Sequence, residues 1–347
     1  MERIDYFARR LLLVIPTFLG ITISCFLISQ FVPGGPVEQY LLEMRAMGDG
    51  LGAGSLPSEA IGEAQRQALE EHFGFDRPFL ERYWNWLWHN RMGMTVYSYQ
   101  YTNRTVWELI RERFPVSLTF GITGFVLSYL ICIPLGIAKA LRNGSRFDMI
   151  SSVLVFIGYA IPAFAFGMLL KMLFSGTVDA FWDVFPVGGF RSDHWEELTF
   201  FGRVHDQFMH MFLPVLCYVI GNFAVLTLLM KNSLLEQVGQ DYIRTVLAKG
   251  GTMKRAIWGH AFRNALIPIA TGFGGILTVM FAGSVLIEKV FDIPGMGLLS
   301  LTAVVNRDYM VFMGIVAVTS LLALLGQILS DFCYVLIDPR INFSGER

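Results

Sequence analysis

Residues 11–32 read LLLVIPTFLGITISCFLISQFV, an apolar run without a single charge. A bilayer core of about 30 Å is crossed by roughly 20 helical residues, so this run is long enough to span. Arg3, Arg9 and Arg10 precede it, which is also how a secretory leader begins. A leader's apolar stretch is shorter and ends at a small-residue cleavage site. Here the run continues into Val32-Pro33-Gly34-Gly35 with no A-x-A-like site, so it is read as a retained first span.

Five further windows of the same kind follow, at about 116–138, 149–174, 211–230, 266–288 and 310–335. Each is expected to be a helix, because lipid offers backbone groups no other partner. Pro16, Pro134, Pro162, Pro214 and Pro268 lie in or beside these windows and are read as kinks or helix starts. Composition agrees: 54% of residues are hydrophobic and 16% charged, against about a quarter charged in a soluble chain. The charges cluster between the windows. A net charge of −1 gives no basic surface for nucleic acid. Cys25, Cys132, Cys217 and Cys333 all fall in apolar windows, with no C-x-x-C pair, so neither a disulfide nor a cysteine metal site is expected.

Lys and Arg set the orientation. With the N-terminus inside, Arg3, Arg9, Arg10, Lys139, Arg142, Arg146, Lys231, Arg244, Lys249, Lys254, Arg255, Arg263, Arg340 and Arg347 are cytoplasmic. The short outer loops hold only Arg191, Arg203, Lys289 and Arg307. The fold class expected is therefore an all-α integral membrane protein with six transmembrane helices and both termini cytoplasmic. Residues 1–32 are the N-terminus and first span, 33–115 a small outer (periplasmic) domain, 116–340 a core of five spans, and 341–347 a cytoplasmic tail. In the outer domain, 46–57 (AMGDGLGAGSLP) is Gly-rich, and Ser58 can cap a helix running to about His72. Pro78 suits the first turn of a second helix, PFLERYWNWLWHN (78–90). Its Trp84, Trp86 and Trp88 suit the headgroup zone. Either this helix lies on the outer membrane surface, or it packs on a partner.

The longest cytoplasmic loop, 231–265, runs from Lys231 past Gly250-Gly251 toward Pro268. The two glycines end one short helix and Thr252 can cap the next. Met253, Ile257, Trp258, Ala261 and Phe262 then share one face at helical spacing, with Lys254, Arg255 and Arg263 off it. Such a basic amphipathic helix either lies on headgroups or docks in a groove on a partner protein.

The stretch DYIRT (241–245), AKG (248–250) and RNALIP (263–268) resembles the coupling loop of ABC importer permeases, in the oligopeptide/dipeptide/nickel branch. Arg244-Thr245-Val246 stands where the broader family has E-A-A, and Gly250 and Pro268 lie further apart than in the sugar importers; both departures resemble the peptide branch. NGSRFD (143–148), IGYAIPAF (157–164), FPVGG (185–189), IEKVFDIPGMG (287–297), Arg307-Asp308-Tyr309 and the LIDPR ending (336–340) extend the resemblance over nearly the full chain. Within the branch it is most similar to the B-type permeases of Yej peptide (microcin C) importers. The resemblance implies an ATPase-coupling loop carried by Arg244, Thr245, Ala248, Gly250, Met253, Ile257, Trp258, Phe262, Arg263 and Pro268. It implies as partners a second permease subunit, one or more ABC ATPase subunits holding ATP and Mg, a periplasmic substrate-binding protein and membrane lipid. It implies peptide or peptide-like cargo and a place in the bacterial cytoplasmic (inner) membrane.

The chain is not expected to be its own engine. A P-loop needs Lys followed by Ser or Thr, and none of Lys139, Lys171, Lys231, Lys249, Lys254 and Lys289 is so followed. No cofactor is expected on this chain, and it is not read as an enzyme: it has no H-E-x-x-H and no pair of buried Asp. Asp193-His194-Trp195-Glu196-Glu197 is read as ordinary loop surface. The alternative function is an ion-coupled secondary transporter of small solutes, which needs ionisable groups near the midplane. Lys171, Glu288 and Asp331 instead lie toward window ends. Lys171 and Glu288 can snorkel to an interface, and Asp331 is expected in a structural salt bridge.

Overall fold

The structure is a computed structural model that describes residues 2–31, 77–177, 182–272 and 284–337. In chain order its helices are α1 (Glu2–Phe31), α2 (Phe79–Trp84), α3 (Val106–Leu141), α4 (Arg146–Ala160), α5 (Ala163–Phe174), α6 (Phe200–Val238) and α7 (Asp241–Ala248). They continue with α8 (Met253–Ala256), α9 (Phe262–Ala265), α10 (Ile267–Thr271), α11 (Val285–Val290), α12 (Met296–Val305) and α13 (Tyr309–Ile337). Wider π turns follow α2 (Asn85–His89) and α8 (Ile257–Ala261). Among the described residues the only strand-like pairings are the bridges Tyr97–Thr105 and Ser175–Asp183.

Among the described residues four helices are long and apolar enough to cross a bilayer: Tyr6–Ser29, Val106–Leu141, Phe200–Val238 and Tyr309–Cys333. The window expected at 149–174 is α4 followed by α5, a pair bent by 91°. The break has a local cause. Proline pushes the residue before it out of the helical region, and Ile161 is extended at φ −92°, ψ 120°. Pro162 then precedes α5 as its cap. Pro16, Pro134 and Pro214 lie inside continuous helices, whereas Pro268 starts α10. The window at 266–288 begins with α10 and ends in α11; its centre, 273–283, lies outside the described residues. So do the Gly-rich stretch and the Ser58 helix, Arg340 and the tail 341–347.

The chain divides into two compact units, 1–14 with 113–298 and 321–347, and 15–112 with 299–320. In the first, α3 and α6 pack at glycines. A Cβ on Gly124 would lie 2.7 Å from Tyr218 Cβ, and one on Gly136 would lie 2.7 Å from both Met230 Cβ and Thr227 O. Helices inside lipid gain mostly from such close approach, since there is no hydrophobic drive between them. Gly136→Val should therefore destabilise this unit by about 1–3 kcal/mol through overpacking, seen as a lower thermal midpoint of the protein in detergent.

Two loops of the same unit are pinned together. Gly189 N donates to Phe291 O at 2.8 Å, and Lys171 Nζ donates to Val290 O (2.7 Å) and Asp292 Oδ2 (3.1 Å). Glu288 does not snorkel: it is 1% exposed. Its carboxylate accepts from Ser117 Oγ (2.9 Å) and Leu298 N (2.7 Å), and Ser117 Oγ accepts from Met296 N (2.7 Å). Hydrogen bonds from chemically ordinary donors thus satisfy a group that sequence placed near water. Asp331 pairs with Arg10 Nη1 at 2.6 Å and accepts from Tyr6 OH at 3.4 Å, joining the start of α1 to the end of α13.

In the second unit, Phe26, Tyr83, Trp86, Met313 and Ala317 form the core. Asp308 caps α13, accepting from Val311 N at 3.3 Å, and also holds Ser98 Oγ and Gln100 N. The RDY triplet is therefore a helix start tied to the 98–101 turn.

Candidate functional site

The expected loop is built on the far end of α6. That helix has 39 residues, about 58 Å at 1.5 Å per residue, far more than a bilayer core. Its last turns stand clear of the apolar window and present Ser233, Leu234 and Gln237 to the loop. Ser233 Oγ donates to Ala265 O (2.9 Å). Tyr242 OH donates to Gln237 Oε1 (2.8 Å) and accepts from Asn264 Nδ2 (3.3 Å). Ile243, Ala256, Ile257, Ala261 and Ala265 pack with Met230 and Leu234 in one core. The loop is thus fixed to its own bundle along its inner side. Tyr242→Phe removes both bonds of this relay and should lower stability by about 1–2 kcal/mol, measurable as a fall in thermal midpoint.

The glycine turn forms as expected. Gly250 N donates to Leu247 O (2.9 Å) and Gly251 N to Val246 O (3.0 Å), the paired closure of a Schellman motif. Gly250 has φ +81°, a region open to glycine without penalty. Thr252 Oγ1 then accepts from Arg255 N at 3.3 Å and caps the next helix.

The expected contact face is narrower than the stripe Met253–Phe262. Ile257 and Ala261 are buried within the chain, and Phe262 is half-buried against Trp258, ring centroids 5.3 Å apart. The reason is the π turn at 257–261, which fits an extra residue into one turn and breaks the 3.6-residue register. Trp258 is carried outward and is 50% exposed, with Met253 also exposed. Thr252, Lys254, Arg255, Trp258 and Gly259 line a shallow depression on the surface. Arg244 pairs with Asp241 at 3.4 Å, and Thr245 Oγ1 donates to Asp241 O. Ala248 and Arg263 are exposed and Pro268 is half-buried at the start of α10. Of the ten expected residues, those on the outer side are therefore Arg244, Thr245, Ala248, Gly250, Met253, Trp258 and Arg263.

One arrangement was not read from the sequence. Asp148, buried at the start of α4, accepts from Lys231 Nζ at 2.8 and 2.7 Å. Lys139 Nζ, on a fully buried side chain, lies 3.2 Å from the same carboxylate and donates to Asp148 O, Ser151 Oγ and Ser152 Oγ. This knot joins α3, α4 and α6 two residues before Ser233, where the loop's bracing begins. The presence of aspartate in NGSRFD was visible in sequence, but its two lysines lie in other parts of the chain.

Residues 132–343 match the family described as binding-protein-dependent transport system inner membrane component. The chain is 39% identical to the peptidoglycan transport system permease protein YejB of Agrobacterium fabrum, covering 97% of this chain and 98% of that one. It is 40% identical to the inner membrane ABC transporter permease protein YejB of Escherichia coli O157:H7, covering 98% and 99%. It is 34% identical to the dipeptide transport system permease protein DppB of Escherichia coli K12, covering 98% and 99%.

Proposed function

Because the chain belongs to the family of binding-protein-dependent transport system inner membrane components, we propose that it is the permease subunit of an ATP-driven ABC importer for short peptides or peptide-like solutes. It forms half of the translocation path and is driven through the loop Asp241–Pro268. The relatives' names support the class of cargo: two are transport permeases named for peptidoglycan and for dipeptides, and one is named an ABC permease.

Six spans are the proposed topology, with both termini in the cytoplasm and residues 33–115 outside. The pairing of Arg10 with Asp331 supports it, since an even number of crossings brings the two chain ends to one side. The knot of Lys139, Asp148 and Lys231 supports it too, because all three belong to segments assigned to the cytoplasmic end.

The observation that carries the function is a rigidly braced loop with an exposed Trp258. An apolar ring beside Lys254 and Arg255, held clear of the span by a continuous helix, fits a groove on a partner better than free water. The proposed partner is an ATPase subunit, which holds ATP and Mg. Its closure moves the loop, and α6 passes the motion to the spans, a two-state element biased by a ligand bound elsewhere. A second permease and a soluble binding protein on the outer face complete the assembly.

Uptake into sealed membrane vesicles tests this reading against ion coupling. Peptide accumulation should stop when ATP is depleted and continue when a protonophore collapses the proton gradient. The reverse pattern would identify a secondary carrier.

A further inference from the structure

The aromatic helix of the outer segment has three sides. The first faces protein: Phe79, Tyr83 and Trp86 pack on Phe26, with Tyr83 and Trp86 buried. The second is apolar and uncovered: Leu80, Trp84 and Trp88 are 74%, 55% and 71% exposed. The third is polar: Glu81 and His89 are exposed and Asn85 half-buried, with Glu81 paired to Arg77 at 3.4 Å. The π turn Asn85–His89 keeps Trp88 in line with Trp84, and their rings stack 6.1 Å apart at 16°.

The depth of this helix follows from what it touches. Tyr83 OH shares a hydrogen bond of 2.8 Å with Thr22 Oγ1, which is fully buried. Thr22 lies ten residues before the end of the apolar run at Val32, and Phe26 six residues before it. At 1.5 Å per residue these are roughly 15 and 9 Å inside the run's outer end. Met313 and Ala317, also in this core, lie in the first two turns of the window at 310–335. A tyrosine side chain reaches down about one helical turn, roughly 5 Å, so the helix axis sits roughly 4–10 Å inside the run's outer end, in the upper part of that leaflet. It does not stand above the membrane.

We infer that the Leu80–Trp84–Trp88 face is an outer-leaflet lipid anchor, seated where acyl chains meet phospholipid headgroups. Tryptophan favours that depth because its ring is amphipathic. A helix lying there needs one apolar side and one wet side next to each other, which is how the Trp84 side adjoins the Glu81–His89 side. A docked protein would have to cover the carboxylate and imidazole along with the rings. The inference rests on the membrane placement and is independent of what binds the cytoplasmic loop.

The test uses the assembled protein in nanodiscs whose lipids are brominated near the headgroup end of the acyl chains, a quencher of indole emission. Replacing both rings, Trp84→Phe with Trp88→Phe, should cut the lipid-dependent quenching by roughly 30%, because two of the chain's seven Trp are then removed from that layer. Aqueous iodide should quench both forms alike. If the double variant does not assemble, either single replacement reads the same difference at smaller amplitude. Unchanged lipid quenching overturns the inference. A loss of iodide quenching in the variant would place the rings in water, and no change with either quencher would place them under a partner protein.

Discussion

Gly250→Pro should abolish substrate uptake while the protein still inserts in the membrane in normal amount. The expected effect is large because two separate features fail together. Gly250 sits at φ +81°, and proline is locked near −65°. Its N–H also closes α7 by donating to Leu247 O at 2.9 Å, a bond proline cannot make. The turn that aims the Thr252-capped helix is then lost, while the spans, formed of other residues, are untouched. Gly250→Ala separates backbone from space. Nothing lies within 4 Å of a Cβ placed there, so alanine brings only the left-handed penalty of about 1–2 kcal/mol. It should retain partial uptake. Both variants are read by uptake in membrane vesicles, with insertion measured on the same membranes. Full uptake by Gly250→Pro would remove this loop from the driving path.

Asp148→Asn should strongly lower the amount and thermal stability of the folded protein. Among the described residues the carboxylate is the single anion shared by Lys139 and Lys231, and Lys139 is fully buried. Removing one partner of a buried ion pair leaves an uncompensated charge, typically about 3–5 kcal/mol of destabilisation. Lys231→Gln should be much milder. It leaves the 3.2 Å pair of Lys139 and Asp148 in place and removes the side chain nearer to water. Thermal unfolding of the purified variants in one detergent gives the order: wild type, then Lys231→Gln, then Asp148→Asn. Equal stability of Asp148→Asn and the wild type would mean the knot contributes nothing.

The chain's architecture was largely legible because lipid imposes a rule that composition obeys. Among the described residues α3, α6 and α13 cover the windows expected at 116–138, 211–230 and 310–335, and α1 covers residues 11–31 of the first. The Gly250–Thr252 turn was legible for a local reason, since glycine and a capping threonine act within a few residues. Departures arose where the outcome depends on the distant chain or on a change of helical register. Pro162, expected as a kink or a helix start within one span, stands at the start of α5 beside a 91° break. The stripe through Met253, Ile257 and Trp258 assumed a regular helix, and the π turn redistributed it. Glu288 was placed near water by its position in a window. It is buried because Ser117, 171 residues away in sequence, and the start of α12 supply its hydrogen bonds. Several motifs that carried the family resemblance proved to be joints of this kind: NGSRFD at the lysine knot, FPVGG against IEKVFDIPG, and RDY under the Ser98 turn.

The central claim is that a separate ATPase binds the outer side of the loop at Trp258. Affinity purification from native membranes, with the wild type and Trp258→Glu side by side, tests it most directly. Trp258 is half exposed, so the substitution should leave the chain folded and inserted. The wild type should bring down an ATP-hydrolysing subunit, and Trp258→Glu should arrive in equal amount without it. Recovery of no ATPase by the wild type, or equal recovery by both, would contradict the account.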